Sequence, residues 1–249
     1  MYQFFVEPHQ INVTDKSVTI IGSDVNHIKN VLRMKTGEEI AVSNGVDGKE
    51  YRCGIAALEE DRVLCELRFV KEDNVELPVK VYLFQGLPKA DKMELIIQKA
   101  VELGVYQIIP VATKRCVVKL DDKKAASKIN RWQGIAEAAA KQSKRAIVPE
   151  VTGVMTFGQA IQKAAELDAR LIPYELAEGM SATRELLEGI QPGQSVAVFI
   201  GPEGGFDEVE ITKATENDIK PITLGRRILR TETAGMTVLA WLGYLLEGR

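Results

Sequence analysis

Three stretches of this 249-residue chain carry residue types that chemistry uses. The first is "VAVFIGPEGGF", where an apolar run stops at Gly201-Pro202-Glu203-Gly204-Gly205. Glycines at a strand end permit positive φ or close backbone approach, and amides near a following helix start favour an anionic or strongly polar ligand group. The second is "TLGRRILRTETA", residues 223–234, which crowds Arg226, Arg227 and Arg230 into one connection before Thr231 and Thr233, either of which suits a helix cap. The third runs from Lys114 to Arg145. It holds ten Lys/Arg against Asp121, Asp122 and Glu137, in a protein whose net charge is −3. A local basic field steers a phosphate backbone even when the whole molecule is acidic.

Absent motifs narrow the ligand. No G-x-G-x-x-G follows a strand, no G-x-x-x-x-G-K-[ST] occurs, and there is no H-E-x-x-H. His9 and His27 both lie near the start, so a metal site or a serine–histidine hydrolase has little support, and no metal is expected. Cys53, Cys65 and Cys116 are odd in number and lack paired spacing, which fits a reducing cytoplasm. No apolar run is long enough to span a bilayer, and the opening "MYQFFVEPH" has no secretory-signal pattern, so a cytoplasmic protein is expected.

These stretches need elements to hold them. "YQFFV", "SVTII", "EEIAVSNG", "EYRCGIAAL" and "RVLCELRFV" read as strands, with a helix over "SDVNHIKNVLRMKTG", so residues 1–72 are expected to form a small barrel-like domain. "KEDNVELP" (71–78) is the candidate linker. Over 73–249, strands "VKVYLFQGL", "VYQIIPVAT", "ARLIPYE", "SVAVFIGPE" and "KPITLG" alternate with helices, which predicts a mostly parallel sheet covered by helices. Such sheets bind ligands outside the carboxyl ends of their strands. Asp91 and Glu94 have capping-box spacing before one helix, and Asp207 suits the cap of another. If 123–145 is one helix, Lys124, Lys128, Arg131, Gln142 and Arg145 fall near one line, beside an apolar face of Ala125, Ile129, Trp132, Ala136 and Ala139. Phosphate contact is the expected role of that line and of Lys114-Arg115.

Together, "GLPKADKMELIIQKAVELGV", "FIGPEGGF" and "LGRRILRTETAG" resemble the ribosomal RNA small-subunit methyltransferase E family of the SPOUT superfamily. The similarity also takes in "HIKNVLRMKTGEEI" and "RWQGIAEAAAKQSKR". The resemblance implies an α/β protein with an N-terminal PUA-like RNA-binding β-barrel (1–72) and a C-terminal SPOUT methyltransferase domain with a trefoil knot (73–249). It implies a homodimer that uses S-adenosyl-L-methionine to methylate N3 of one uridine in 16S ribosomal RNA, free or in the assembled small subunit. Pattern reading alone gives an ordinary doubly wound sheet with no knot. By motif match, Gly201, Glu203, Gly204, Gly205, Leu224, Gly225, Ile228 and Leu229 are expected cofactor contacts, with Pro173, Tyr174 and Glu175 as a further wall. Gln3 stands where relatives often carry arginine, which leaves Arg33 and Lys35 as the first domain's RNA candidates.

Uridine N3 must lose its proton for methylation. Arg230 is the expected stabiliser of the developing anion, and Glu232 or Glu203 the expected proton acceptor. The rival from another class is an RNA-binding assembly factor of the same fold without catalysis. A phosphate-binding metabolic enzyme is a third reading, and it leaves the cationic helix unexplained.

Overall fold

The structure is a computed structural model that describes residues 1–72, 75–175, 177 and 179–247. Asp73 and Asn74 of the expected linker, and the last two residues of the expected second domain, lie outside the described residues. By contacts the chain divides into two compact units: Met1–Glu76 with Ala140–Val148, and Leu77–Ala139 with Pro149–Arg249.

The first unit is built on a six-stranded sheet. Its strands are β1 (Gln3–Phe5), β2 (Ile11–Asn12), β3 (Ser17–Ile21), β4 (Glu39–Ser43), β5 (Glu50–Leu58) and β6 (Arg62–Lys71), in the order β1-β4-β5-β6-β3-β2. All pairs are antiparallel except β1 with β4. Alternation along β3 buries Val18 and Ile20, which join Ile40, Val42, Cys53, Ile55, Val63 and Cys65 in one core. The expected helix after β3 is shorter than its spacing suggested: helix α1 (Ser23–Asn26) passes into a wider turn over His27–Val31. Arg33, at φ +54°, then stops any continuation. Residues 140–148 complete this unit. The Arg145 carbonyl accepts from the Gln3 side chain at 2.8 Å, Ile147 bridges to Gly45, and the Lys141 ammonium lies 3.3 Å from Asp24.

In the second unit strand and helix alternate, as the pattern indicates: β7 (Lys80–Gly86), α2 (Lys92–Glu102), β8 (Gln107–Ala112), α3 (Asp122–Gln142), β9 (Glu150–Val151), β10 (Met155–Thr156), α4 (Phe157–Ala164), β11 (Ala169–Pro173), α5 (Met180–Glu188), β12 (Ser195–Ile200), α6 (Glu208–Glu216), β13 (Lys220–Ile222) and α7 (Thr231–Leu246). The sheet order is β10-β8-β7-β12-β11-β13, with β9 also on β8, and every pairing is parallel. The two-residue strands β9 and β10 are too short for periodicity to reveal. Central strands carry near-continuous apolar runs because both faces are covered. On β7 and β12, Phe84 and Phe199 stack at 4.4 Å, a contact worth about 0.5–1.5 kcal/mol beyond burial.

Capping partly departs from expectation. Asp207 caps α6 as foreseen: its carboxylate accepts from the Val209 amide, and Glu210 accepts from the Asp207 amide at 3.0 Å. Asp91 makes no side-chain cap to α2: its backbone, at φ −95° and ψ 14°, is not extended as an N-cap is, the Glu94 amide donates to its carbonyl at 3.0 Å, and the Glu94 carboxylate pairs with Arg131 at 2.8 Å. Neither Thr231 nor Thr233 caps α7. Its N-cap is Arg230, and the Thr231 hydroxyl is committed elsewhere.

Candidate active site

Three neighbouring strands, β12, β11 and β13, end on the same edge of the parallel sheet, and the loops that follow them enclose a cavity of about 500 Å³. That size lies within the range of small-molecule and cofactor sites. Every residue expected to touch a cofactor lines it. Pro173, Tyr174 and Glu175 come from the first loop, Gly201, Glu203, Gly204 and Gly205 from the second, and Leu224, Gly225, Ile228 and Leu229 from the third. Arg230 lines it as well. Glu232 stands one step back, in the first turn of α7.

The local geometry explains the residue types. Gly205 turns the second loop back at φ +65°, with its amide donating to the Pro202 carbonyl at 2.9 Å. Gly86 at the end of β7 lies so close under this loop that a Cβ there would meet the Pro202 backbone nitrogen at 2.8 Å. Thr231 donates its hydroxyl hydrogen to the Gly201 carbonyl at 2.6 Å and accepts from the Gln85 side chain at 2.9 Å, so three segments far apart in sequence are tied at one point.

Charge in the cavity is arranged in pairs. Lys92, the first residue of α2, places its Nζ 3.0 Å from Glu203 and 3.6 Å from Glu232. Partial burial acts to raise the Glu203 carboxyl, but its own amide, Lys92 and the Lys89 amide outweigh that and hold it below the ordinary value. Hydrogen bonding to Glu203, opposed by desolvation and helped by both carboxylate charges, keeps Lys92 protonated above the usual lysine range. Arg115 was expected on a nucleic-acid face. It lines the cavity with 44% of its side chain exposed, and its Nη1 donates to the Gly204 carbonyl at 3.0 Å. Lys114 pairs with Asp207 at 3.0 Å, and that hydrogen bond leads in lowering the Asp207 carboxyl.

The remaining cationic candidates divide. Lys124 is exposed, with Asp121 at 3.1 Å. Lys128 lies 5.8 Å above the ring of Trp132, and Arg131 keeps two-thirds of its side chain in solvent while pairing with Glu94. Trp132, Ala136 and Ala139 are buried, as the face analysis expects. Gln142, Arg33 and Lys35 are exposed. Arg145 must be corrected. The helix ends at Gln142, Lys144 turns at φ +59°, and Arg145 goes inward to 3% exposure, where its guanidinium pairs with Glu76. It holds structure and presents no charge to a phosphate. Gln3 spends its amide on Ser43 and the Arg145 carbonyl.

Sequence reasoning missed Lys92, Gln85 and Gly86. Only Lys92 left a signal, a cation at a helix start where acids are favoured. Among the described residues no group of three or more His, Cys, Asp or Glu could hold a metal ion, and no helix is long and apolar enough to cross a membrane.

Residues 75–243 match the RNA methyltransferase domain model and residues 20–68 the RNA methyltransferase PUA domain model. Ribosomal RNA small subunit methyltransferase E of Bacillus subtilis is 40% identical over 99% of this chain and 98% of its own length. The chain belongs to the ribosomal RNA small subunit methyltransferase E family. The methyltransferase E of Synechocystis is 35% identical over 99% of this chain and 78% of its own length. A crystal structure of methyltransferase E from Neisseria gonorrhoeae, bound to S-adenosyl methionine, superposes with a TM-score of 0.84 at 32% identity, covering 99% of this chain and 98% of that one. Membership in the methyltransferase E family accounts for both units at once, a PUA domain and a methyltransferase domain in an α/β chain.

Proposed function

We propose that this chain is a S-adenosylmethionine-dependent methyltransferase of small-subunit ribosomal RNA, and that it modifies N3 of a uridine. The observation that carries the reading is the cavity itself. Three loops at the carboxyl edge of a parallel sheet bring together glycine backbone, apolar Leu224 and Leu229, and carboxylates beside a rim of exposed arginines. The relative from Neisseria gonorrhoeae, similar over nearly its whole length, was crystallised with S-adenosyl methionine.

The residues present fit that cofactor. The cavity has room for a nucleoside, and the carboxylates of Glu175 and Glu203 suit its positive charge. Bound there, S-adenosylmethionine supplies an electrophilic methyl group on sulfur, and the protein's task is alignment. Pro173–Glu175, the glycine turn and Leu224–Leu229 would hold it. Arg230, at the cavity wall, stabilises the negative charge that grows on the pyrimidine as its N3 proton leaves. Glu232 is the proton acceptor in this reading, since both Glu203 oxygens are engaged by Lys92 and the Lys89 amide.

Further proposals follow from the same reading. Functionally the boundary falls near residue 72, with a PUA-like barrel before it and a knotted SPOUT domain after it. The tie of Thr231 to Gly201 and Gln85, and the close passage of Pro202 over Gly86, support a knot. Exposed Tyr244 on α7 and Leu95 on α2 support a homodimer. Exposed Arg33, Lys35, Lys124 and Arg131, with half-buried Lys128, are the proposed rRNA contacts. The free thiols fit a cytoplasmic enzyme.

Nucleoside mass spectrometry of small-subunit rRNA from cells with and without the gene tests this directly. Loss of N3-methyluridine on deletion is expected, and an unchanged nucleoside profile would sink the proposal.

A further inference from the structure

The loop after β13 is pinned at both ends and bare in the middle. At its start the Thr223 amide donates to the buried Thr183 hydroxyl on α5 at 3.0 Å, and Gly225 turns the chain at φ +103°. At its end the Thr231 hydroxyl holds the Gly201 carbonyl at 2.6 Å. Between these anchors Arg226, Arg227, Ile228, Leu229 and Arg230 all border the cavity. The three arginines are exposed, and among the described residues none of them is ion-paired. Leu224 and Leu229 are half-buried. Ile228 keeps 86% of its surface in solvent, more than any other large aliphatic residue described. A scattered surface isoleucine needs no explanation. This one stands at the mouth of a cavity, on a loop held from both sides, among cations that no carboxylate engages.

The substrate supplies the need for such a group. N3 of uridine lies on the Watson–Crick edge, so in folded RNA it is turned into a pair or a stack and must be brought out before a cavity can take it. Extrusion leaves a gap between the neighbouring bases, and the base falls back unless something fills that gap. Aliphatic side chains, isoleucine among them, act as wedges between base steps in other nucleic-acid complexes. Arginines beside the wedge neutralise the phosphates that the distorted backbone crowds together.

We propose that Ile228 is a wedge for the substrate RNA: it enters the stack beside the target uridine and holds the space that the base vacates, while Arg226 and Arg227 take the phosphates on either side. The occupant of this rim is therefore an opened segment of small-subunit rRNA. The inference rests on the reading of the chain as a uridine-N3 methyltransferase and adds to it the means by which the base reaches the cavity. The two anchors matter to the step, because a wedge on a slack loop would yield before the stack did. A second copy of the chain is the other surface that could cover an apolar side chain here. The three unpaired arginines favour a polyanion over an acid-poor protein face.

The test uses small-subunit rRNA, free and in assembled subunits, carrying fluorescent 2-aminopurine beside the methylated uridine. Saturating wild-type protein should brighten the probe as its stack opens. Ile228→Ala at saturation should leave it dark and slow single-turnover methyl transfer by about tenfold or more, and Ile228→Leu should restore both. Arg226→Ala and Arg227→Ala should each weaken RNA binding and reduce the slope of log K against log salt by about one, with full brightening kept at saturation. Full brightening in Ile228→Ala overturns the inference. So does a wild-type rate regained at high S-adenosylmethionine, which would make Ile228 a cofactor contact, or an altered sedimentation coefficient, which would make it a subunit contact. Wild-type protein that methylates neither form of the rRNA would instead sink the functional reading, in a measurement separate from the fluorescence.

Discussion

The Thr231 hydroxyl donates to the Gly201 carbonyl across 2.6 Å, joining the start of the last helix to the glycine turn. The hydroxyl is also an acceptor for the fully buried Gln85 amide, which donates to the Gly86 carbonyl as well, at 3.0 Å. Thr231→Val keeps the volume and removes both bonds, which should cost about 1–3 kcal/mol for each group left unpaired. Thr231→Ser should keep most of the function. Calorimetric titration with S-adenosylmethionine should show weaker binding for the valine variant and near-wild-type binding for the serine variant.

Glu76 and Arg145 form a buried ion pair, and the Glu76 carboxylate also accepts from the amides of Ala146 and Ile147 at 3.2 and 3.3 Å. Removing one partner of such a pair leaves the other charge buried, at roughly 3–5 kcal/mol. Arg145→Ala should therefore lower the denaturation midpoint strongly. Its rRNA affinity, measured well below the melting temperature, should stay close to wild type, because the side chain does not face solvent.

Glu203 titrates below the ordinary carboxylate range in the folded protein. A depressed folded value means that the unfolded chain binds the proton more readily, so this contribution is complete above the unfolded pKa and is lost as pH falls through the folded one. Glu203→Gln should be less stable than wild type at neutral pH, and the gap should close as the buffer is acidified below about pH 4.5, the ordinary glutamate value. Paired thermal melts along a pH series read this directly.

Lys124 and Lys128 present charge from α3 without being buried in ion pairs. If each meets one phosphate, Lys124→Ala and Lys128→Ala should weaken rRNA binding and reduce the slope of log K against log salt by about one apiece. Filter-binding titrations at several salt concentrations measure it. Unchanged slopes would remove α3 from the interface.

Much of this was legible in the residues. The period of Met93, Ile96, Ile97, Ala100 and Val101 marks α2, all five are buried, and Gly104 ends the helix at φ +89°. The three cavity loops were readable because glycine, proline and clustered arginine are unusual at strand ends. What escaped were facts set by tertiary contact. Nothing local tells Arg145 from Arg131, since only the departure of the chain at Lys144 turns one inward. Gln85 reads as an ordinary strand residue until Thr231 arrives beside it from 146 positions away. Asp91 and Glu94 have the spacing of a capping box, but the Asp91 backbone is not extended as an N-cap is, and a surface arginine on another helix pairs with the glutamate.

The division of the chain bears on how it is made. Residues 140–148 supply the bridge to Gly45, the acceptor for Gln3 and the partner of Glu76, all within the first unit. Domains generally fold in the order of synthesis, but here the amino-terminal unit cannot be finished when its own stretch has left the ribosome. It must wait half-built for more than sixty further residues, and folding intermediates trapped during translation should expose that waiting surface.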